Sequence, residues 1–274
     1  MSAALKSEFR KLFSTRLWWV LMLCAAGYLA MMGATMALVL QLAPSSPPGG
    51  ANAGGGLPSG SGLAILVYSM AGSMAYVFPL LVGALGVTQE YRHKTITATF
   101  LAEPRRGLVL VAKLIAAVPM GAAYGLVCVA ATALPAAAVF AATGQATGLG
   151  EADTWALFGR SLLDFTIWAP LGVGVGALVH NQVAAIVGIL AVTQFAEPLV
   201  RALPMMTNQV WPWTDFLPGA AGDAIQGASF YDTMTPGGAG GAALAWWAAA
   251  LVLLGWAALL ATAGYLAAWR RDVT

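Results

Sequence analysis

The chain has 274 residues, 59% hydrophobic and 9% charged, with a net charge of +2. Soluble domains carry roughly 25% charged residues, so this composition cannot clothe a water-facing surface and excludes a soluble globular fold. The basic residues fall at the ends of apolar runs rather than in a stripe, which excludes a nucleic-acid surface; the lipid bilayer is the partner that the composition selects.

The N-terminal LKSEFRKLFSTRLWW sets Leu5, Phe9, Leu12 and Phe13 at helical spacing, with Lys6, Arg10 and Lys11 on the other faces. It predicts an interfacial helix over 2–16, lying on the inner leaflet. Crossing a ~30 Å hydrocarbon core takes about 20 apolar residues. Six stretches meet that length: 18–41, 63–88, 109–134, 156–179, 183–203 and 242–268. The first is too long for the apolar core of a signal peptide, about 7–15 residues, and is expected to stay as a span. Pro135 marks where the third is expected to stop or bend. The predicted fold class is an all-α integral membrane protein, a single transmembrane domain of six helices over residues 1–274.

The outer connections differ in kind. Residues 43–62 are Pro, Gly and Ser with almost nothing to bury, which predicts a mobile loop. Residues 204–241 carry Trp211, Trp213, Phe216, Phe230 and Tyr231 among Pro and Gly. Such aromatics favour the headgroup region and predict a partly folded outer cap. Eleven of the thirteen Lys and Arg residues fall before span one, between or just within spans two and three, or after span six. With six spans these places share one side. The positive-inside rule makes it the cytoplasm, with both termini there and the chain in the cell (plasma) membrane.

Several motifs read as packing. Cys24 and Cys128 lie inside apolar runs, too far apart for a disulfide framework or metal spacing. Gly172-x-Gly174-x-x-Ala177 matches a dinucleotide fingerprint in letters but lies inside span four, without the strand and turn that the motif needs. Gly172-x-x-x-Gly176 and Gly121-x-x-x-Gly125 read as close helix crossings. The only histidines, His93 and His180, lack acidic partners at ligand spacing, and no nucleophile elbow occurs. No catalytic or metal residue is expected.

Polar residues inside the spans have two readings, a substrate path or hydrogen bonds between helices. Ser69, Ser73 and Tyr76 share one face of span two, and Thr193 and Gln194 lie in the outer half of span five. Arg160 and Asp164 are spaced i, i+4 in span four, as are Glu197 and Arg201 in span five. Counted from the turn at 180–182, both acids stand at about 22–24 Å and both arginines at about 28–30 Å. Antiparallel neighbours would present them as an outer charge cluster, either a static clamp or a gate whose pairs exchange.

Segment 89–106, between spans two and three, is the one inner connection with enough polar length to contact a partner. It opens with Glu90, Arg92 and Lys94, continues with apolar Ile96, Phe100 and Leu101, and ends on Pro104 and the Arg105-Arg106 pair. The longer stretch from Thr88 to Lys113, with its Glu90, Thr95, Leu101, Pro104 and Lys113, resembles the type-2 ATP-binding-cassette (ABC) permease family, particularly actinobacterial members. SEFRKLFSTR ahead of a Trp-rich first span and LPGAAGDAI at 217–225 are similar to the same family. Lys94 stands where many members have Gly. The resemblance implies a permease working as an exporter, whose segment 89–106 docks into a cytoplasmic nucleotide-binding subunit. Glu90, Arg92, Lys94, Thr95, Phe100, Leu101, Pro104 and Arg105 would make that contact. It further implies a second permease chain, a copy or a relative, with spans two and five flanking the substrate path. The chain carries no G-x-x-x-x-G-K-[ST] run to cradle phosphates, so ATP and Mg would belong to the partner ATPase and no cofactor to this chain. The alternative is a non-ABC polytopic component, channel-like or scaffolding.

Overall fold

A computed structural model describes residues 2–42, 60–207, 211–228 and 244–269. Most of the 43–62 loop and, in the cap, 208–210 and 229–241 with Phe230 and Tyr231, lie outside them. Six helical spans are long and apolar enough to cross a membrane, and no strand occurs among the described residues.

The segment predicted to be interfacial forms a helix, α1 (Ser2–Ser14), followed by span one, α2 (Leu17–Leu42). Span two is two helices, α3 (Ser61–Ala75) and α4 (Val77–Arg92), broken at Tyr76. Pro79 explains the break: it has no N–H to give the Ala75 carbonyl four residues back. After α4 comes the short α5 (Ile96–Ala102), then span three, α6 (Arg106–Ala142). The helix passes through Pro135 rather than stopping there. Its extension buries Ala136, Ala137 and Phe140 in a cluster with Ala37, Leu40, Ala64 and Val67, and this packing outweighs the lost hydrogen bond. Span four is α7 (Ala152–Leu178).

Span five is α8 (Gln182–Ala191), a π-helical turn (Val192–Ala196) and α9 (Glu197–Thr207). The cap contributes a 3-10 turn (Pro212–Phe216) and the short helix α10 (Pro218–Gln226). Span six is α11 (Trp246–Gly264), ending in a π turn (Tyr265–Trp269).

Spans two and four form the centre: 83% and 67% of their apolar windows are buried, against 28% and 22% for spans one and five. Helix α7 packs on α4, α6 and α11, and α2 packs on α6. Both small-residue pairs lie at crossings. A Cβ added at Gly172 would collide with the Leu80 carbonyl, and one at Gly121 would meet the Phe165 carbonyl. Close backbone approach of this kind is what holds helices together where lipid competes for apolar contact.

Candidate functional site

The two ends of the bundle carry separate polar centres. At the end that holds α1 and α5, four charged side chains from three elements interlock. Lys113 Nζ of α6 donates to Glu8 Oε2 of α1 at 2.7 Å and to Glu90 Oε1 of α4 at 2.8 Å. Lys11 Nζ donates to Glu90 Oε1 at 2.7 Å, to Glu8 Oε1 at 2.9 Å and to Thr99 Oγ1 of α5 at 3.1 Å. Glu8, Glu90 and Lys113 are 4–6% exposed, so the two acids and Lys113 have left water. Partial burial of Lys11 opposes its charge, but its bonds to Glu90 and Glu8 outweigh that and hold its pKa above the ordinary lysine value.

The centre touches α5 at Thr99, and Phe100 of α5 rests on the ends of spans three and six. Ile96 is buried, and Phe100 packs edge-on against Trp269 with centroids 5.3 Å apart. The Arg106 guanidinium lies 5.2 Å over the Phe100 ring, and its Nη1 donates to the Trp269 carbonyl at 2.9 Å. The outward face presents Thr97, Ala98 and Leu101, the last 80% exposed, with Pro104 and Arg105 beyond. A cleft of about 430 Å³ separates α1 from α5, between Ser7, Lys11, Ala98 and Glu103. Arg92 is exposed and donates to Gln182 Oε1 at 3.1 Å. Lys94 takes φ +55°, and the Thr95 N–H returns to the Glu90 carbonyl at 2.9 Å. The backbone thus keeps a glycine-like turn with lysine in it.

Of the residues expected to face a partner, Leu101, Pro104, Arg105, Arg92, Lys94 and Thr95 are therefore exposed. Phe100 is half-buried, and Glu90 is spent inside the cluster.

The other end is organised by α10, whose residues from Ala221 to Gln226 are buried among α3, α7 and α11. Glu197 Oε1 accepts the backbone N–H groups of Gly219 at 2.6 Å and Ala220 at 3.1 Å, capping the helix N-terminus. Asp223 Oδ2 pairs with Arg201 Nη2 at 2.8 Å, and its Oδ1 accepts from Ser73 Oγ at 2.7 Å. Gln226 fills the space that Gly72 leaves beside α3, and its Oε1 accepts from Ser161 Oγ at 3.3 Å. Trp256 Nε1 of α11 donates to the Phe216 carbonyl at 2.9 Å, which fastens the 3-10 turn. Within that turn partial burial raises the Asp215 pKa, against the pull of Arg201.

The four predicted outer charges do not meet as a span-four to span-five hairpin, because α10 stands between α7 and α9. Arg160 lies 5.7 Å over the Trp246 ring and beside Gly227, Glu197 turns to α10, and Arg201 takes Asp223. Asp164 is 1% exposed, and neither of its oxygens has a hydrogen-bond partner among the described residues.

The candidate path residues are divided as well. Ser69 Oγ bonds back to Leu66 O at 2.8 Å, and Ser73 serves Asp223. Tyr76 OH reaches the Thr193 carbonyl at 3.1 Å, a direct tie between spans two and five. Ser69, Ser73, Tyr76 and Thr193 are buried, whereas Gln194 is exposed on the outside of span five.

Sequence reasoning missed Glu8, the part Lys113 plays, and Asp223. Glu8 stands at i+3 from Leu5 on the apolar stripe of α1, and a carboxylate there was a readable sign of a buried partner. No family model and no curated protein matches the chain.

Proposed function

We propose that this chain is the membrane-spanning permease subunit of a type-2 ABC transporter working as an exporter in the cell membrane. In this reading the α1 and α5 end faces the cytoplasm, both termini lie there, and a separate nucleotide-binding subunit supplies ATP and Mg. A second permease chain completes the path. The observation that carries the proposal is α5 itself: a helix with an outward apolar residue, Leu101 at 80% exposure, beside Arg105, whose inner face rests on the ends of spans three and six. Ala98, Leu101 and Ala102 are all exposed on this one helix beside Arg105, a small apolar face that suits a docking partner, and what docks there can move the bundle.

A load on α5 passes through Thr99 and Lys11 to Glu90 at the end of span two. The Tyr76 to Thr193 bond hands the movement on to span five. Affinity purification from native membranes tests the reading. A P-loop ATPase should co-purify, and Leu101→Asp should release it while leaving the permease inserted. Absence of any ATPase in every nucleotide state, or wild-type binding by Leu101→Asp, would overturn it.

A further inference from the structure

The environment of α10 contains three carboxylates, and two have hydrogen-bonding or charged partners. Glu197 accepts two backbone N–H groups at the positive end of α10. Asp223 holds Arg201 and the Ser73 hydroxyl. Asp164 has neither: its Oδ1 points at Gly222 of α10, where an added Cβ would lie 3.1 Å away. The Trp168 indole N–H lies beside it and favours its charge, but outside hydrogen-bond geometry.

Among the described residues the charged groups around Asp164 are Arg160 on its own helix, Asp223 on α10, and Glu197 and Arg201 on α9, with Asp215 farther out beside Arg201. Arg160 is drawn to Trp246 and Gly227 at the far end of α10, and Arg201 is committed to Asp223. Among the described residues Asp164 alone of the three carboxylates is left without a compensating positive charge or hydrogen bond. A lone ionised carboxylate shut away from water costs far more than a fold can supply, so the missing charge must be bound. Among the described residues no three acidic, His or Cys groups converge closely enough to ligate a metal ion, and Gly222 packs tightly against Asp164 and Trp168. The space admits a proton.

We propose that Asp164 is a proton-binding site, with α10 as its cover. Uptake transfers one proton from hydronium to the Asp164 carboxylate and leaves water; release is the reverse, with no redox change. With the proton bound, the carboxylic acid sits neutral against Gly222 beside the Asp223 to Arg201 pair. Without it, Asp164 and Asp223 repel, and α10 must move away from α7 to let water in. The site therefore links proton release to opening of this end of the bundle, whatever the chain transports.

Infrared difference spectroscopy of the full chain in lipid nanodiscs tests this directly. At neutral pH the wild type should show a protonated-carboxyl C=O band that shifts in D2O. Carbon-13 labelling of aspartate should move the band, and labelling of glutamate should not. Asp164→Asn should abolish it while keeping wild-type thermal stability, because the amide copies the neutral acid in shape. Glu197→Gln should retain it. Absence of the band in wild type, or a shift with labelled glutamate only, overturns the proposal without recourse to any variant. Survival of the band in Asp164→Asn overturns it too. If instead sodium at constant ionic strength raises the melting temperature of the wild type and not of Asp164→Asn, the site holds an alkali cation and the proton assignment fails.

Discussion

Lys113 is the test of what holds α1 and α5 to the bundle. It is 3% exposed at its side chain and lies 2.7 Å from Glu8 and 2.8 Å from Glu90. At an effective dielectric near 20 each contact attracts by about 6 kcal/mol. Desolvation of the three buried ions takes back several kcal/mol apiece, so the intact cluster contributes little net stability. Lys113→Met changes that balance. It leaves two buried carboxylates sharing Lys11, whose side chain is 38% exposed and solvent-screened. Breaking a buried pair in this way costs about 3–5 kcal/mol. Adding Glu8→Gln removes the surplus charge, and the double variant should recover most of the loss. Lys11→Met, with its partly solvated ammonium, should cost only about 1 kcal/mol. Unfolding in mixed detergent micelles, followed by circular dichroism, gives the three values. A loss under about 1 kcal/mol for Lys113→Met, or a double variant no better than the single, would refute the internal cluster.

Lys94→Gly should hold or raise stability by about 0.5–1 kcal/mol, since φ +55° suits glycine, and Lys94→Val should lose about 1–2 kcal/mol in the same unfolding assay. Gly172→Ala should cost about 3 kcal/mol or more, because the added methyl meets the rigid Leu80 carbonyl. Gly188→Ala, with open space around it, should be neutral, and equal losses at the two glycines would remove the tight crossing. In a background lacking Cys24 and Cys128, Gln145→Cys in the exposed turn after α6 should react with impermeant maleimide on intact cells. Thr97→Cys on α5 should react only after lysis; the opposite pattern would reverse the proposed orientation.

The spans were legible because length and apolarity suffice to define them, and bilayer thickness sets the scale. Three features were not. The helix α10 reads as loop: GAAGDAIQ between Pro and Gly has no amphipathic period, and it is helical because Glu197 caps it and Gly72 makes room for Gln226. The break in span two was hidden because apolar residues run straight through Pro79. Depth arithmetic brought Asp164 and Glu197 to one level, and both do meet the same nine-residue helix, at Gly222 and at Gly219–Ala220. What depth could not supply was that a segment from outside the two spans would come between them. Glu90 stood out as a docking residue because a polar loop was expected to point outward. The burial of Lys113 turns it inward instead.

Lipid tails solvate an apolar helix about as well as another helix does, so apolar faces alone leave the register of a membrane bundle loose. Here register is set by glycine crossings at mid-depth and by a polar centre at each end. Span two belongs to both centres. Its Glu90 is held by Lys11 and Lys113, and its Ser73 and Tyr76 are held by Asp223 and the Thr193 carbonyl. About 26 Å of helix separates Ser73 from Glu90. Between them lie the break at Tyr76 and the hydrogen bond that Pro79 withholds from Ala75. Clamped at both ends and locked to span four along Gly83, Gly172 and Gly176, span two cannot slide as a rod without collisions between backbones. A relative movement of the two ends must be absorbed where a backbone hydrogen bond is already missing. The most buried span therefore carries its hinge inside the bundle, beside the buried hydrogen bond from Tyr76 to the Thr193 carbonyl of span five.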